Sequence, residues 1–108
     1  MDLTPSRRQT KVAETLAHLA GEFLARESNG TSLITVTRAD IAPNLKNATV
    51  YISVLPESEE EKALNFTKRQ RTPFREFLKE KSALNFIPMV NFVLDIGEKN
   101  RQRVSELI

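Results

Sequence analysis

The chain contains no cysteine. Disulfide scaffolds, thiolate metal sites, iron–sulfur clusters and cysteine nucleophiles are therefore excluded. It contains one histidine, His18. A histidine metal cage is impossible, and any Ser–His–Asp triad would have to run through that single residue. There is no GxGxxG fingerprint and no Walker loop among only 3 glycines. Ser53, Ser82 and Ser105 have no partner base, so nothing in the pattern supports an enzyme. Long apolar runs are also missing. The longest uncharged stretch, Ser82 to Leu94, has 13 residues and includes Asn85, Pro88 and Asn91. A bilayer span takes about 20 apolar residues. The N-terminal MDLTPSRRQTKVAETL has basic residues but no apolar segment behind them, so it does not read as a secretory signal. The expectation is a cytoplasmic protein without a membrane.

What is present fits one domain over residues 1–108, with 40% hydrophobic and 28% charged residues. Thr4-Pro5 reads as a helix start. Val12, Leu16, Leu19, Phe23 and Leu24 then recur at helical spacing, predicting a helix over about 5–27 that ends at Ser28-Asn29-Gly30. The β-branched run 32–39 reads as a strand, with Ile34 and Val36 on one face and Thr35 and Thr37 on the other. A turn around Asn44 leads to a second strand over 48–55. There Ala48, Val50, Ile52 and Val54 alternate with Thr49, Tyr51 and Ser53, so the two strands form a hairpin. Glu57 to Glu61 suit the start of a helix, where the helix dipole favours negative charge. Helical spacing continues over 59–81, but Pro73 must break or kink it near Arg71-Thr72-Pro73. A third strand covers 87–96, and a short helix from about Glu98 uses Val104, Leu107 and Ile108. The result is an α+β domain with helices on one face of a three-stranded sheet. The predicted core is Leu16, Leu19, Phe23, Ile34, Val36, Val50, Ile52, Val54, Leu64, Phe74, Phe77, Leu78, Val90, Phe92 and Leu94.

The net charge of +2 hides an uneven distribution. Lys62 to Lys81 holds seven basic residues against two acidic ones, Glu76 and Glu80. The densest part is Lys68-Arg69-Gln70-Arg71-Thr72, at the expected helix break. Basic side chains beside a helix N-terminus make a phosphate site. Charge alone leaves a solvated helix face equally open. The phenylalanines sit at core spacing, and only Tyr51 offers a stacking surface, though a place on the sheet under a loop suits it better. His18 lies off the apolar stripe and reads as a surface residue. Asp40 and Asp95 both fall near strand ends, where a paired acid or Mg²⁺ site is the minor alternative.

The order of the segments, together with several short patterns, resembles the ribosome-binding factor A family over roughly Arg7 to Ile108. In that family a basic stretch opens the first helix, as Arg7-Arg8-Gln9-Thr10-Lys11-Val12 does here. A Ser-x-Asp-Leu-x-x-Ala pattern and a Val-Tyr-Val-Ser strand follow. Here they read Ala42-Pro43-Asn44-Leu45-Lys46-Asn47-Ala48 and Val50-Tyr51-Ile52-Ser53. Phe74-Arg75 and Pro88-Met89-Val90-Asn91-Phe92-Val93-Leu94-Asp95 match the later patterns. The resemblance implies a KH-like fold of the second type. It implies a non-enzymatic assembly factor that binds precursor 16S rRNA in immature small ribosomal subunits and needs no cofactor. A release GTPase, a monomeric state and association with growth in the cold come with it. The family's interrupted helix carries an Ala-x-Gly kink, which Gln70-Arg71-Thr72 and Pro73 replace here. Asn44 stands for the usual Asp and still suits a turn. The family's frequent basic C-terminal tail is expected to be absent or shortened. The candidate RNA-binding residues are Arg7, Arg8, Lys11, Lys46, Lys68, Arg69, Arg71, Arg75 and Lys79. A protein-interaction domain without an RNA partner, using a sheet edge or the Glu57–Glu61 acids, is the alternative.

Overall fold

A computed structural model of the protein describes residues 4–27, 30 and 32–107, with the side chains of Glu27 and 102–107 left aside. The first helix, α1 (Arg7–Glu27), starts two residues later than Thr4-Pro5 suggests. The reason is a capping box. The Ser6 Oγ accepts the Gln9 backbone N–H at 3.1 Å, and the Gln9 Oε1 accepts the Ser6 N–H at 2.8 Å. Two otherwise unpaired amides are satisfied reciprocally. Gly30, three residues beyond the end of α1, takes a left-handed φ of +80°, a conformation open to glycine. Ser28 and Asn29 lie outside the described residues.

Strand β1 (Leu33–Ile41) pairs antiparallel with β2 (Asn47–Leu55), from Leu33 opposite Leu55 to Ile41 opposite Ala48. The register shifts between Val36 and Arg38, making Thr37 the extra residue of a β-bulge. Strict alternation after Ile34 and Val36 would turn Arg38 and Asp40 into the core. The bulge rephases the strand, so that Ala39 and Ile41 pack there instead. This is also why β1 runs beyond the expected end at Ala39.

Strand β3 (Met89–Leu94) lies parallel to β2, with Asn47 opposite Met89 and Ile52 opposite Leu94. A parallel pair needs a long crossover. It is supplied by a short 3₁₀ turn (Glu57–Glu59), α2 (Glu60–Arg69) and α3 (Arg71–Lys81). Strand β3 is shorter than the expected 87–96 because Pro88 has no N–H to donate and the buried Asp95 caps the start of α4 (Ile96–Leu107). Helix α4 thus begins two residues before Glu98. The side chains of Val104 and Leu107, and all of Ile108, lie outside the described residues.

The core lies between the helices and the Ala48, Val50, Ile52 and Val54 face of β2. Phe74 is fully buried, with ring centroids 5.3 Å from Phe23 and 5.7 Å from Phe92, and Phe77 stands 5.3 Å from Phe23. Of the predicted core, Ile34, Val36, Leu64 and Leu94 are only partly buried against it. Ile34 and Val36 lie on an edge strand. The buried set also includes Ala20, Leu24, Ala48 and Ala63.

Candidate nucleic-acid interface

The helix break falls at Gln70, earlier than the Arg71-Thr72-Pro73 expected from the proline. A proline ring clashes with the carbonyl four residues upstream, and for Pro73 that carbonyl belongs to Arg69. Helix α2 therefore ends at Arg69. Gln70 takes φ −91° and ψ 4°, outside the helical region, and α3 restarts at Arg71. Pro73 then occupies the first turn of α3, where an N–H would have no helical partner anyway. The first bond of the new helix runs from the Phe74 N–H to the Gln70 carbonyl at 2.8 Å.

The charge around this break is asymmetric. Lys68 and Arg69 in the last turn of α2 suit the negative end of that helix. The first turn of α3 holds Arg71 and no acid, and the Gln70 side chain makes no capping bond. A cation there opposes the helix dipole instead of complementing it, leaving the α3 N-terminus open to an anion. Arg71 donates to the Asn91 Oδ1 at 3.0 Å, which ties the break to β3 with a neutral partner and no counter-charge. Arg75 follows one turn later and lines a cleft of about 260 Å³ with Arg71, Thr72, Pro88 and Met89.

The same connection between α3 and β3 gathers the other basic residues. A notch bounded by Ala83 to Phe86 is closed by Arg8, Val12 and Leu45, so the start of α1 reaches it. The carbonyl of Lys46 accepts the Met89 N–H at 2.9 Å. Asn44 caps its turn as expected, its Oδ1 accepting the Lys46 N–H at 2.9 Å. Segment 83–91 is thus flanked by Arg8, Lys46, Arg71 and Arg75. Arg7 and Lys11 are exposed on the same helix as Arg8. Among the described residues, Arg7, Arg8, Lys11, Lys46, Lys68, Arg69 and Arg75 make no ion pair. Lys79 differs. It sits in the last turn of α3 and pairs with Glu76 at 3.3 Å.

The remaining sequence candidates resolve into structural roles. Tyr51 is covered by the Arg38 guanidinium, 3.6 Å from the ring centroid, and not by a loop. Asp40 pairs with Arg38 at 2.8 Å. Asp95 is buried, with 5% of its surface exposed. Its Oδ1 accepts the Glu98 N–H at 3.0 Å to cap α4, and its Oδ2 accepts the Thr37 hydroxyl. The Thr37 hydroxyl, then the Glu98 N–H, hold this carboxyl below the ordinary carboxylate range against the opposing effect of burial. Asp40 and Asp95 therefore share Arg38, and no group that could hold a metal occurs among the described residues. His18 is exposed on α1, facing Glu22. No described helix is long and apolar enough to cross a membrane. Sequence reasoning missed Phe86, which is 58% exposed and does not sit in the core. Its signal was its place between Asn85 and Pro88, outside every helical or strand period.

The sequence profile of ribosome-binding factor A matches residues 8–108. The chain belongs to that family. A ribosome-binding factor A of Coxiella burnetii is 30% identical, over 95% of this chain and 88% of its own length. One from Ruegeria is 34% identical, over 84% and 73%. The crystal structure of the Thermus thermophilus family member superposes with a TM-score of 0.72 at 18% identity, covering 80% of this chain and 94% of that one. A homology model of the Thermus protein, fitted into a cryo-electron microscopy map of its 30S complex, gives 0.70 at 19% identity, over 79% and 92%. The fold is accordingly the KH-like α+β fold of ribosome-binding factor A, a ribosome-binding factor.

Proposed function

We propose that this member of the family is a non-enzymatic assembly factor that binds precursor 16S rRNA in immature small ribosomal subunits. The observation that carries the proposal is the set of cations that have no counter-charge among the described residues around the α2–α3 break and segment 83–91. KH modules clamp an RNA backbone with a loop between two helices. Here that place is taken by the Gln70 interruption, where Lys68 and Arg69 at the end of α2 and Arg71 at the start of α3 offer cations to successive phosphates. Arg75, Arg8 and Lys46 extend the positive surface around segment 83–91, with Arg7 and Lys11 beside it on α1. Phosphate contacts of this kind set affinity and orientation without reading bases. The family resemblance supports the remaining points. The protein acts in the cytoplasm as a monomer, as one domain of residues 1–108, and leaves the subunit with the help of a release GTPase.

Co-sedimentation with immature and mature small subunits at two salt concentrations tests this reading. Preferential, salt-sensitive binding to immature particles is expected. Binding that survives ribonuclease and ignores salt would overturn it in favour of a protein-interaction domain.

A further inference from the structure

The notch beside Arg8 has features that phosphate binding does not use. Of the 6 phenylalanines and one tyrosine, Phe23, Phe74, Phe77 and Phe92 interlock in the core. Phe66 packs against that core, and the Tyr51 ring is covered by Arg38. Phe86 alone presents an open ring, 58% exposed on the α3–β3 connection. It borders a notch of about 220 Å³ whose other walls are Val12, Leu45, Leu84 and Arg8. Among the described residues no acid lines this notch and Arg8 has no ion-pair partner. Leu45, with a left-handed φ of +62°, is held in place by its N–H bond to the Ala42 carbonyl at 2.8 Å. A flat aromatic face beside an uncompensated guanidinium complements a base attached to its phosphate. A base within a duplex has both faces stacked and cannot use such a site.

Resting on the RNA-binding reading above, we infer that Phe86 and Arg8 form a site for a single unpaired nucleotide, the base on the Phe86 ring and the phosphate on Arg8. The surface would then select single-stranded or junction rRNA over continuous helix. This selectivity is separate from the backbone contacts at the α2–α3 break.

The test uses the full chain with a short single-stranded oligoribonucleotide and a blunt RNA duplex of the same sequence. Phe86→Ala should weaken single-strand binding about tenfold, leave duplex binding unchanged, and leave the salt dependence as in the wild type. The chain has no tryptophan. Phe86→Trp therefore supplies one fluorophore, whose emission the single strand should quench and the duplex should not. Both variants should show wild-type thermal unfolding, because the ring lies outside the core. Wild-type affinity of Phe86→Ala for the single strand, an equal loss on both RNAs, or equal quenching by both would each overturn the inference while leaving the backbone reading intact. A loss of subunit binding by Phe86→Ala with naked RNA binding unchanged would also overturn it, and would assign the ring to a protein contact. A wild-type chain that binds neither RNA would sink both readings together.

Discussion

The molecule treats charge in two ways. Where β2 and β3 end, ionic groups are used up internally. Lys99 reaches Glu60 at 3.0 Å and Glu57 at 3.3 Å, and Asp95 gathers Thr37, Arg38 and the first turn of α4. Where β2 and β3 begin, Lys46, Arg8, Arg75 and the cations of the helix break have no counter-charge among the described residues. The first region holds the fold together. Apart from the Arg71–Asn91 bond, the second contributes little to it and keeps six basic side chains, Arg8, Lys46, Lys68, Arg69, Arg71 and Arg75, without an acid to offset them among the described residues. Uncompensated charge of this kind stabilises a complex with a polyanion more than it stabilises the monomer. The two regions should therefore respond oppositely to mutation, one in stability and the other in binding.

The largest effect expected is at Asp95. Asp95→Ala removes the α4 cap and the partner of Thr37 within the β1 bulge, and should destabilise the protein by about 3 kcal/mol in chemical denaturation. A loss below 1 kcal/mol would mean that the paired region is decorative and the contrast false. The same residue carries a pH signature. Its carboxyl titrates below the ordinary range when folded, so the unfolded chain binds the proton first as pH falls. The stabilisation is complete above the unfolded value of about 3.9 and is lost as pH falls from there through the lower folded value. Asp95→Asn should flatten that acid-side fall in stability. An unchanged slope would refute the assignment.

The contrast between regions was only half legible in the sequence. The element order, the Val50-Ile52-Val54 face and the helix interruption follow from periodicity and one proline, which are local signals. The position of the break at Gln70 follows from the reach of the Pro73 ring to the Arg69 carbonyl, a relation four residues long that the pattern alone did not resolve. The Thr37 bulge was hidden, because Thr-Arg-Ala reads as ordinary alternation until the burial of Ala39 and Ile41 shows the shift. At Asp95 a metal site stayed open as the minor alternative, because sequence shows an acid at a strand end and cannot show that α4 and Thr37 take its oxygens. Phe86 was overlooked because all the phenylalanines were read at core spacing, although its place between Asn85 and Pro88 falls outside every helical or strand period. Which cations lack partners is likewise a property of the folded surface, and no count of Lys and Arg supplies it.

The next largest effect belongs to the unpaired region. Replacing Lys68, Arg69 and Arg71 together by Glu should weaken rRNA binding about a hundredfold and reduce the salt slope by roughly two to three units, one per phosphate contact. Stability should fall by no more than about 1–2 kcal/mol, because Lys68 and Arg69 lose their favourable place at the α2 C-terminus and Arg71 its bond to Asn91, while a Glu at the start of α3 offsets part of the loss. Filter binding across a salt series with a parallel urea titration measures both. A stability loss matching the binding loss would erase the distinction between the two regions. A smaller change is expected from Ser6→Ala, which opens the capping box ahead of Arg7 and Arg8. It should cost about 1 kcal/mol in stability and only a modest part of the affinity, since the basic side chains remain.

The finest test compares two cations on one face of α3. Arg75 and Lys79 lie four residues apart, one turn of helix, and both are exposed. Arg75 lines the cleft beside Met89 and has no ion pair among the described residues, whereas Lys79 is engaged by Glu76. An exposed pair of this kind contributes little to stability, but its acid offsets the charge that Lys79 shows to a polyanion. Arg75→Ala should therefore lower rRNA affinity several-fold, while Lys79→Ala should change it less than about twofold. Glu76→Ala, which frees Lys79, should raise affinity slightly and make Lys79 matter. Equal losses for the two cations would mean that position along α3, and not the pairing of charge, decides which residues meet RNA. The interface would then extend along the whole exposed face of the helix instead of centring on its start.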